Sequence, residues 1–505
     1  MSIITLVRPP CLISKGTLQG PITPPIGVAY LASSLLKAGH EAHIIDALGE
    51  APFRHHPCFK GRMIAIGLSV IEILKRIPPR SEIIGLSCMF SQDWPYSHRI
   101  LKAIRVQFPD ALLIAGGEHV TAMADDLLRS CPEIDLCVLG EGEEAVVDIA
   151  NALAAKGDFS RVAGLALRRN GNLLVTEPRA RLRALDEIPP PAWELTPIHQ
   201  YLDNDLGYGV DLGRSMPILA TRGCPYQCTF CSNAAMWTPR WYARDPARVL
   251  DEIQHYLTHY RATNIDFFDL TAIVKREWIL EFCALVKSRG MHFTWQLPSG
   301  TRSEAIDRDV CRALHEAGCR NMTYAPESGS PEVLRRIKKK VDLKNLMRSM
   351  RGAIREGMNV KTNIIIGFPD ETKREVWQTI RFVCKMALAG IHDVSVSMFS
   401  PYPGSELFNQ MKAAGKLPPL DEGYYLSLSS YTDITATIGW SENLTSRQLA
   451  FYRIFALLAF YSLQYAARPW RLVLLIVHFL GNKQVSRLDK SLHDFLKRKD
   501  DLPSA

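Results

Sequence analysis

The sequence lacks any basic run interleaved with aromatic side chains, so a nucleic-acid groove is not expected. Its 60 Lys and Arg against 52 Asp and Glu leave a formal charge of only +8 over 505 residues. That suits an anionic cofactor or substrate and demands little more. No uninterrupted apolar run reaches the about 20 residues that a membrane span needs. Residues 1–10 show no basic segment followed by an apolar core and a small-residue cleavage site, so a cytoplasmic protein is expected. With 47% hydrophobic and 22% charged residues, 32 Gly and 31 Pro, the composition excludes long disorder, collagen-like repeats and coiled coil. What remains is a globular chain of about two to four domains, at roughly 100–200 residues each.

Two series of alternating strands and helices organise the chain. In the first, apolar runs at 3–7, 42–45, 83–87, 112–115 and 136–139 are separated by amphipathic helical stretches. Continuous apolar strands between helices predict parallel strands buried on both faces, a doubly wound, Rossmann-like α/β domain over 1–155. Such sheets bind ligands beyond the carboxyl ends of their strands. Pro25 and Gly27, Asp46, Ser87, the Gly116-Gly117-Glu118 run and the Gly140-Glu141-Gly142 run fall at those ends. Residues 156–205 read as a linker, with a small hairpin around Asn170-Gly171 and a stiff Pro189-Pro190-Pro191 spacer. The second series predicts strands at 217–221, 265–269, 293–297, 321–324, 361–366 and 394–399. Six such strand–helix units over 206–415 predict a partial (β/α)6 barrel with its chemistry on the loops after the strands. The last region, 416–505, reads as helical. Its apolar runs 449–467 and 470–480 are bordered by Arg468, Arg471, Lys483, Arg487, Lys490, Lys497, Arg498 and Lys499. A cap on the barrel is expected there, with peripheral membrane contact as the alternative. Tyr424, Tyr425 and Tyr431 are candidates to line the substrate side or simply to pack.

Twelve cysteines are present. Without a secretion signal they read as reduced thiols or metal ligands rather than disulfides. Cys224, Cys228 and Cys231 are clustered as CxxxCxxC just after the first strand of the second series. Three thiolates at this spacing can ligate three irons of a 4Fe–4S cluster and leave the fourth iron for a small molecule. A structural zinc site wants four closed ligands, and no fourth Cys or His lies nearby at finger spacing.

This motif, opening a six-unit barrel, resembles the radical S-adenosylmethionine superfamily. Phe267-Phe268-Asp269 is similar to the second-strand end that holds the methionine part of that cofactor, although Asp269 stands where Gly-Gly-Glu is usual. Pro326-Glu327-Ser328-Gly329-Ser330 resembles the segment that reaches the ribose, and Gly367 with its neighbours the one against the adenine. The resemblance implies that Phe230, Asp269, Glu327, Ser328 and Gly367 bind S-adenosylmethionine. Helix capping or loop placement would equally explain Asp269 and Glu327.

With a doubly wound domain in front, the chain resembles the cobalamin-binding class of these enzymes over 1–407. That class includes methyltransferases and an anaerobic cyclase. The resemblance implies cobalamin contacts from Pro25, Gly27, Asp46, Ser87, Gly116, Gly117, Glu118, Gly140, Glu141 and Gly142, with no cobalt-ligating histidine after Asp46. It also implies methylation of an unactivated carbon of a small-molecule or lipid substrate. The radical would come from S-adenosylmethionine, and the electron from an external donor such as flavodoxin or ferredoxin. Radical cyclisation, oxidation or coupling of a lipid or tetrapyrrole is the alternative. A methylthiotransferase with a second cluster on Cys11, Cys58 and Cys88, and a non-enzymatic carrier, are further alternatives. No residue stands out as a catalytic acid or base.

Overall fold

A computed structural model describes residues 1–17, 22–480 apart from 432, 434 and 436, and Asp489. Its first half comprises β1 (Ile3–Arg8), β2 (Cys11–Ser14), β3 (Glu41–Asp46), β4 (His55–Cys58), β5 (Met63–Ile66), β6 (Ile83–Ser87), β7 (Leu112–Gly116), β8 (Leu136–Val138), β9 (Leu165–Arg169) and β10 (Asn172–Val175). Seven of these form one sheet in the order β10-β9-β8-β7-β6-β1-β3. The five strands from β3 to β8 are parallel, and β9 and β10 close the edge as an antiparallel hairpin. The order reverses between β1 and β6, which places the expected ligand crevice at the ends of those strands. Separate apolar cores lie on the two faces of the sheet, as the unbroken Ile, Leu and Val runs of β1, β6 and β7 require.

The second half adds β11 (Ser215–Ile218), β12 (Thr221–Gly223), β13 (Trp241–Ala243), β14 (Asn264–Phe267), β15 (Thr294–Thr301), β16 (Cys319–Glu327), β17 (Asn359–Ile366) and β18 (Asp393–Met398). Six run parallel in the simple order β11-β14-β15-β16-β17-β18, with β11 and β18 at the two edges, a partial barrel. Buried Trp295, Phe267 and Phe282 stack mutually inside its helix layer, with ring centroids 5.1 to 5.7 Å apart.

Three features differ from the sequence reading. The small antiparallel sheet β2-β5-β4 is unanticipated, because its strands have four residues each and one contains Pro57. The segment 156–205 is not a free spacer. Its hairpin extends the first sheet, while Trp193, Ile198 and Leu202 join the barrel core. The region 416–505 is also divided. Tyr424 and Tyr425 are buried against the first domain's core, and the side chain of Tyr431 lies outside the described residues. The Ser446–Ala467 helix instead packs on the barrel through Leu449, Ala456 and Phe460. Arg453 sits inside that interface, donating to the carbonyls of Val396 and Asp433 at 3.0 and 2.7 Å. The charged residue that interrupts the apolar run is therefore an internal clamp, and burial lowers its pKa to about 10. Lys483, Arg487, Lys490, Lys497, Arg498 and Lys499 lie outside the described residues.

Candidate active site

The cysteine loop is shaped before its first thiol. Gly223 ends β12 at φ +86°, and a Cβ there would stand 2.1 Å from the Arg240 carbonyl, so only glycine fits the turn. Cys224 and Cys228 are half-buried and Cys231 is exposed. Burial raises the Cys224 and Cys228 thiols, while the nearby cations of Lys339 and Arg302 pull them down. The Arg302 guanidinium carbon lies 3.6 Å from the centre of the Tyr226 ring. Among the described residues, the one His/Cys/Asp/Glu group whose ligand atoms all lie within 4.8 Å is His98, Cys131 and Glu133. The three loop thiols do not all lie within that distance of one another.

Around this loop the structure sorts the expected contacts. Phe230 packs edge-on against Phe368 with centroids 5.8 Å apart, directly beside Gly367 at the end of β17. Gly367 holds φ +85°, and its N–H donates to Glu371 Oε2 at 2.6 Å. Glu371 belongs to the same segment but was not singled out from sequence. Burial pushes its carboxyl up to about 8, and its Oε1 has no partner. Glu327 is buried at φ +66° and accepts from Lys339 Nζ at 3.0 Å. The Ser328 hydroxyl pairs with Thr379 Oγ1 at 2.9 Å and accepts from the Ser330 N–H at 3.1 Å. Asp269 is also turned to structure. Its carboxylate accepts from the Ala220 N–H at 3.3 Å and from both the N–H and hydroxyl of Thr221, and burial raises its pKa to about 6. It ties the junction of β11 and β12 to the end of β14, just upstream of the cysteine loop.

On the first domain, Gly117 is at φ +112°, where a Cβ would stand 2.6 Å from the Cys88 carbonyl. Ser87 pairs in register with Gly116, and the Gly140 N–H donates to Thr121 Oγ1 at 3.0 Å. Pro25 begins the Ile26–Lys37 helix, and the position a Cβ would take at Gly27 is open. Gly142 lies against Leu31. This glycine rim lets a ligand approach the backbone closely.

The three carboxylates behave differently. Asp46 is fully buried and accepts from Tyr201 OH at 2.6 Å and the Gly49 N–H at 3.0 Å. Glu141 accepts from Arg181 Nε at 2.7 Å, the Leu182 N–H at 2.9 Å and Arg222 at 3.2 Å. Glu118 hydrogen-bonds Ser232, one residue beyond Cys231. Asp46 and Glu141 are thus both engaged by donors of the protein itself. Glu118 and Glu141 instead join the first domain to the cysteine loop. His119, missed in the sequence, is buried beside Trp94 and Tyr425 with its Nε2 unpartnered.

Cys11, Cys58 and Cys88 do not assemble a second cluster site. Cys11 pairs with Ile66 at one end of β5 and Cys58 with Met63 at the other, about 10 Å along the strand.

A glycine rim at a strand-order reversal, facing a three-cysteine loop on a parallel barrel, defines a cobalamin-binding radical S-adenosylmethionine enzyme. The chain belongs to that family: residues 218–383 match the radical SAM superfamily and residues 18–150 the B12 binding domain. Its cofactors are a 4Fe–4S cluster, S-adenosylmethionine and cobalamin. An uncharacterized methyltransferase of Pyrococcus horikoshii is 29% identical over 408 residues, 80% of this chain and 82% of the relative. The anaerobic magnesium-protoporphyrin IX monomethyl ester cyclase of Cereibacter sphaeroides is 26% identical over 77% of this chain and 60% of its own length. A radical S-adenosylmethionine methyltransferase from Kitasatospora setae, TsrM, solved with cobalamin and a 4Fe–4S cluster, shares the fold. Its TM-score is 0.63 at 18% identity, over 82% of this chain and 78% of that one.

Proposed function

We propose that this enzyme methylates an unactivated carbon of a small-molecule or lipid substrate, with Cys224, Cys228 and Cys231 as the cluster ligands. The observation that carries the reading is the joint between the two halves. Ser232 beside the last cysteine is held by Glu118, and Arg222 just before the first cysteine is held by Glu141 and Glu143. The glycine rim and the cysteine loop are thus parts of one surface, as carbon methylation with both cofactors requires.

When bound, the cluster and S-adenosylmethionine supply a 5′-deoxyadenosyl radical for hydrogen abstraction, and cobalamin supplies the methyl group. The chain's own part is to bind, orient and exclude water. Phe230, backed by the buried Phe368, would lie against the adenine beside Gly367. The Lys339–Glu327 pair sets a cation next to Cys228. Gly116, Gly117 and Gly140 would admit the nucleotide tail of cobalamin, with Pro25, Gly27, Ser87 and Gly142 around them. An external reductant such as flavodoxin or ferredoxin supplies the electron. The domains of this reading are a cobalamin-binding half ending near residue 155, the barrel over 206–415, and a C-terminal helical part.

Anaerobic purification with cobalamin supplied, followed by metal analysis, tests it. About four irons and one cobalt per chain are expected, with methylated product detected by mass. Four irons without cobalt would move the assignment to radical cyclisation or coupling, the chemistry that the cyclase relative's name describes.

A further inference from the structure

The two C-terminal helices carry a surface that barrel chemistry does not use. The Ser446–Ala467 helix is, among the described residues, the one helix long and apolar enough to cross a membrane by length and composition. It is nevertheless fixed to the barrel. Arg453 donates to Val396 and Asp433, and Gln464 to the carbonyls of Ile391 and His392 at 3.0 and 2.7 Å. Its other side presents Phe451, Ile454, Phe455 and Leu458 at helical spacing, between 38% and 63% exposed. The Pro469–Leu480 helix follows, with Trp470, Leu472, Val473, Leu474, Ile476 and Val477 each at least 43% exposed. Arg468 and Arg471 hold its start by donating to the carbonyls of Leu388 and Gly390 at 3.0 and 2.9 Å.

Ten large apolar side chains are exposed on consecutive helices, a surface that water disfavours. Charge indicates what covers it. Between Glu442 and Asp489 the chain has no Asp or Glu; of its cations Arg453 is buried and Arg468 and Arg471 hold backbone carbonyls, while Arg447, Lys483 and Arg487 lie on either side of the apolar stretch in sequence. An apolar protein partner gives no reason to exclude one sign of charge from the whole segment. A phosphate-bearing lipid surface does, because it repels carboxylates and attracts arginines. Trp470 next to Arg471 also has the amphipathic character of an interfacial anchor.

We propose that this face docks the enzyme on an anionic phospholipid bilayer, with the helices lying in the interface and not crossing it. The docking is independent of the methyl-transfer reading. Leu449 at the start of the same helix packs against Gly367, so the helix begins beside the end of β17.

The test is co-sedimentation of the full-length, cofactor-loaded enzyme with vesicles of phosphatidylcholine alone or mixed with phosphatidylglycerol. Pelleting with the anionic vesicles, weakened by salt, is the expected result. The double variant V473E/I476E changes two exposed positions and should lower the bound fraction about tenfold with unchanged circular dichroism. Its cleavage of S-adenosylmethionine without vesicles should equal that of the parent, which separates this test from that of the methylation reading. No pelleting, or equal pelleting of the variant, overturns the proposal. Without pelleting, a dimer abolished by V473E/I476E would assign the face to a second copy. A monomer without pelleting would assign it to residues 481–505.

Discussion

Arg222 Nη2 donates to Glu143 Oε1 at 2.6 Å, joining the strand that leads into the cysteine loop to the first turn of a helix in the other domain. Both side chains are buried, and Glu141 completes the site at 3.2 Å. Removing one partner of such a pair strands a charge in low dielectric, which costs about 3–5 kcal/mol. R222M should therefore lower the thermal midpoint by several degrees and reduce iron retained after reconstitution. A midpoint equal to the parent's would show that the joint carries no energy.

C224A, C228A and C231A should each lose the visible absorbance of the reconstituted cluster while far-ultraviolet circular dichroism stays unchanged. The loop's shape depends on Gly223 and on the backbone bond from the Cys231 N–H to the Cys228 carbonyl at 3.0 Å, and not on the thiols. G223A should do the reverse, disturbing the loop because φ +86° disfavours any Cβ and the Arg240 carbonyl blocks it.

Lys339 puts a buried positive charge beside Cys228 and is anchored by Glu327 at 3.0 Å. A cation near the cluster favours the added electron. K339M should make the midpoint potential of the bound cluster more negative, measured by electron paramagnetic resonance during redox titration. K339R should restore most of the shift. An unchanged potential in K339M would remove Lys339 from the electrostatics of the site.

Glu371 gives a pH prediction. Burial raises its carboxyl from 4.5 to about 8, so the folded protein keeps a proton that the unfolded chain has released across that interval. Stability contributed at this position therefore falls as pH rises from about 4.5 to about 8, on the order of a few kcal/mol at most. E371Q can still accept the Gly367 N–H bond and does not titrate. Denaturant midpoints measured at both ends of the window should decline more for the parent than for E371Q. Parallel curves would count against a protonated Glu371.

What the sequence disclosed was what is local. The cysteine spacing and the alternation of apolar strands with helices are short-range patterns, and the six barrel strands lie where that alternation puts them. What it concealed was partnership over distance. Asp46 meets Tyr201 across 155 residues, and Glu141 meets Arg222 across 81. A carboxylate beyond a strand end looks available for a ligand until its partner is known. Asp269 is a similar case, since its bonds to Thr221 span 48 residues. The small sheet β2-β5-β4 was hidden because four-residue strands show too few periods to register as alternation.

The seam between the halves has a geometric meaning. It is closed by Glu118 on Ser232, by the Arg222 fork, and by Tyr402 OH, which accepts from the Ser91 N–H at 2.7 Å. Gly404 lies so close that a Cβ there would approach Ala122 to 2.9 Å and Ala235 to 3.4 Å. Prising the halves apart would break buried ion pairs and packed contacts together. The two platforms are therefore held at a fixed separation for as long as this seam stays intact.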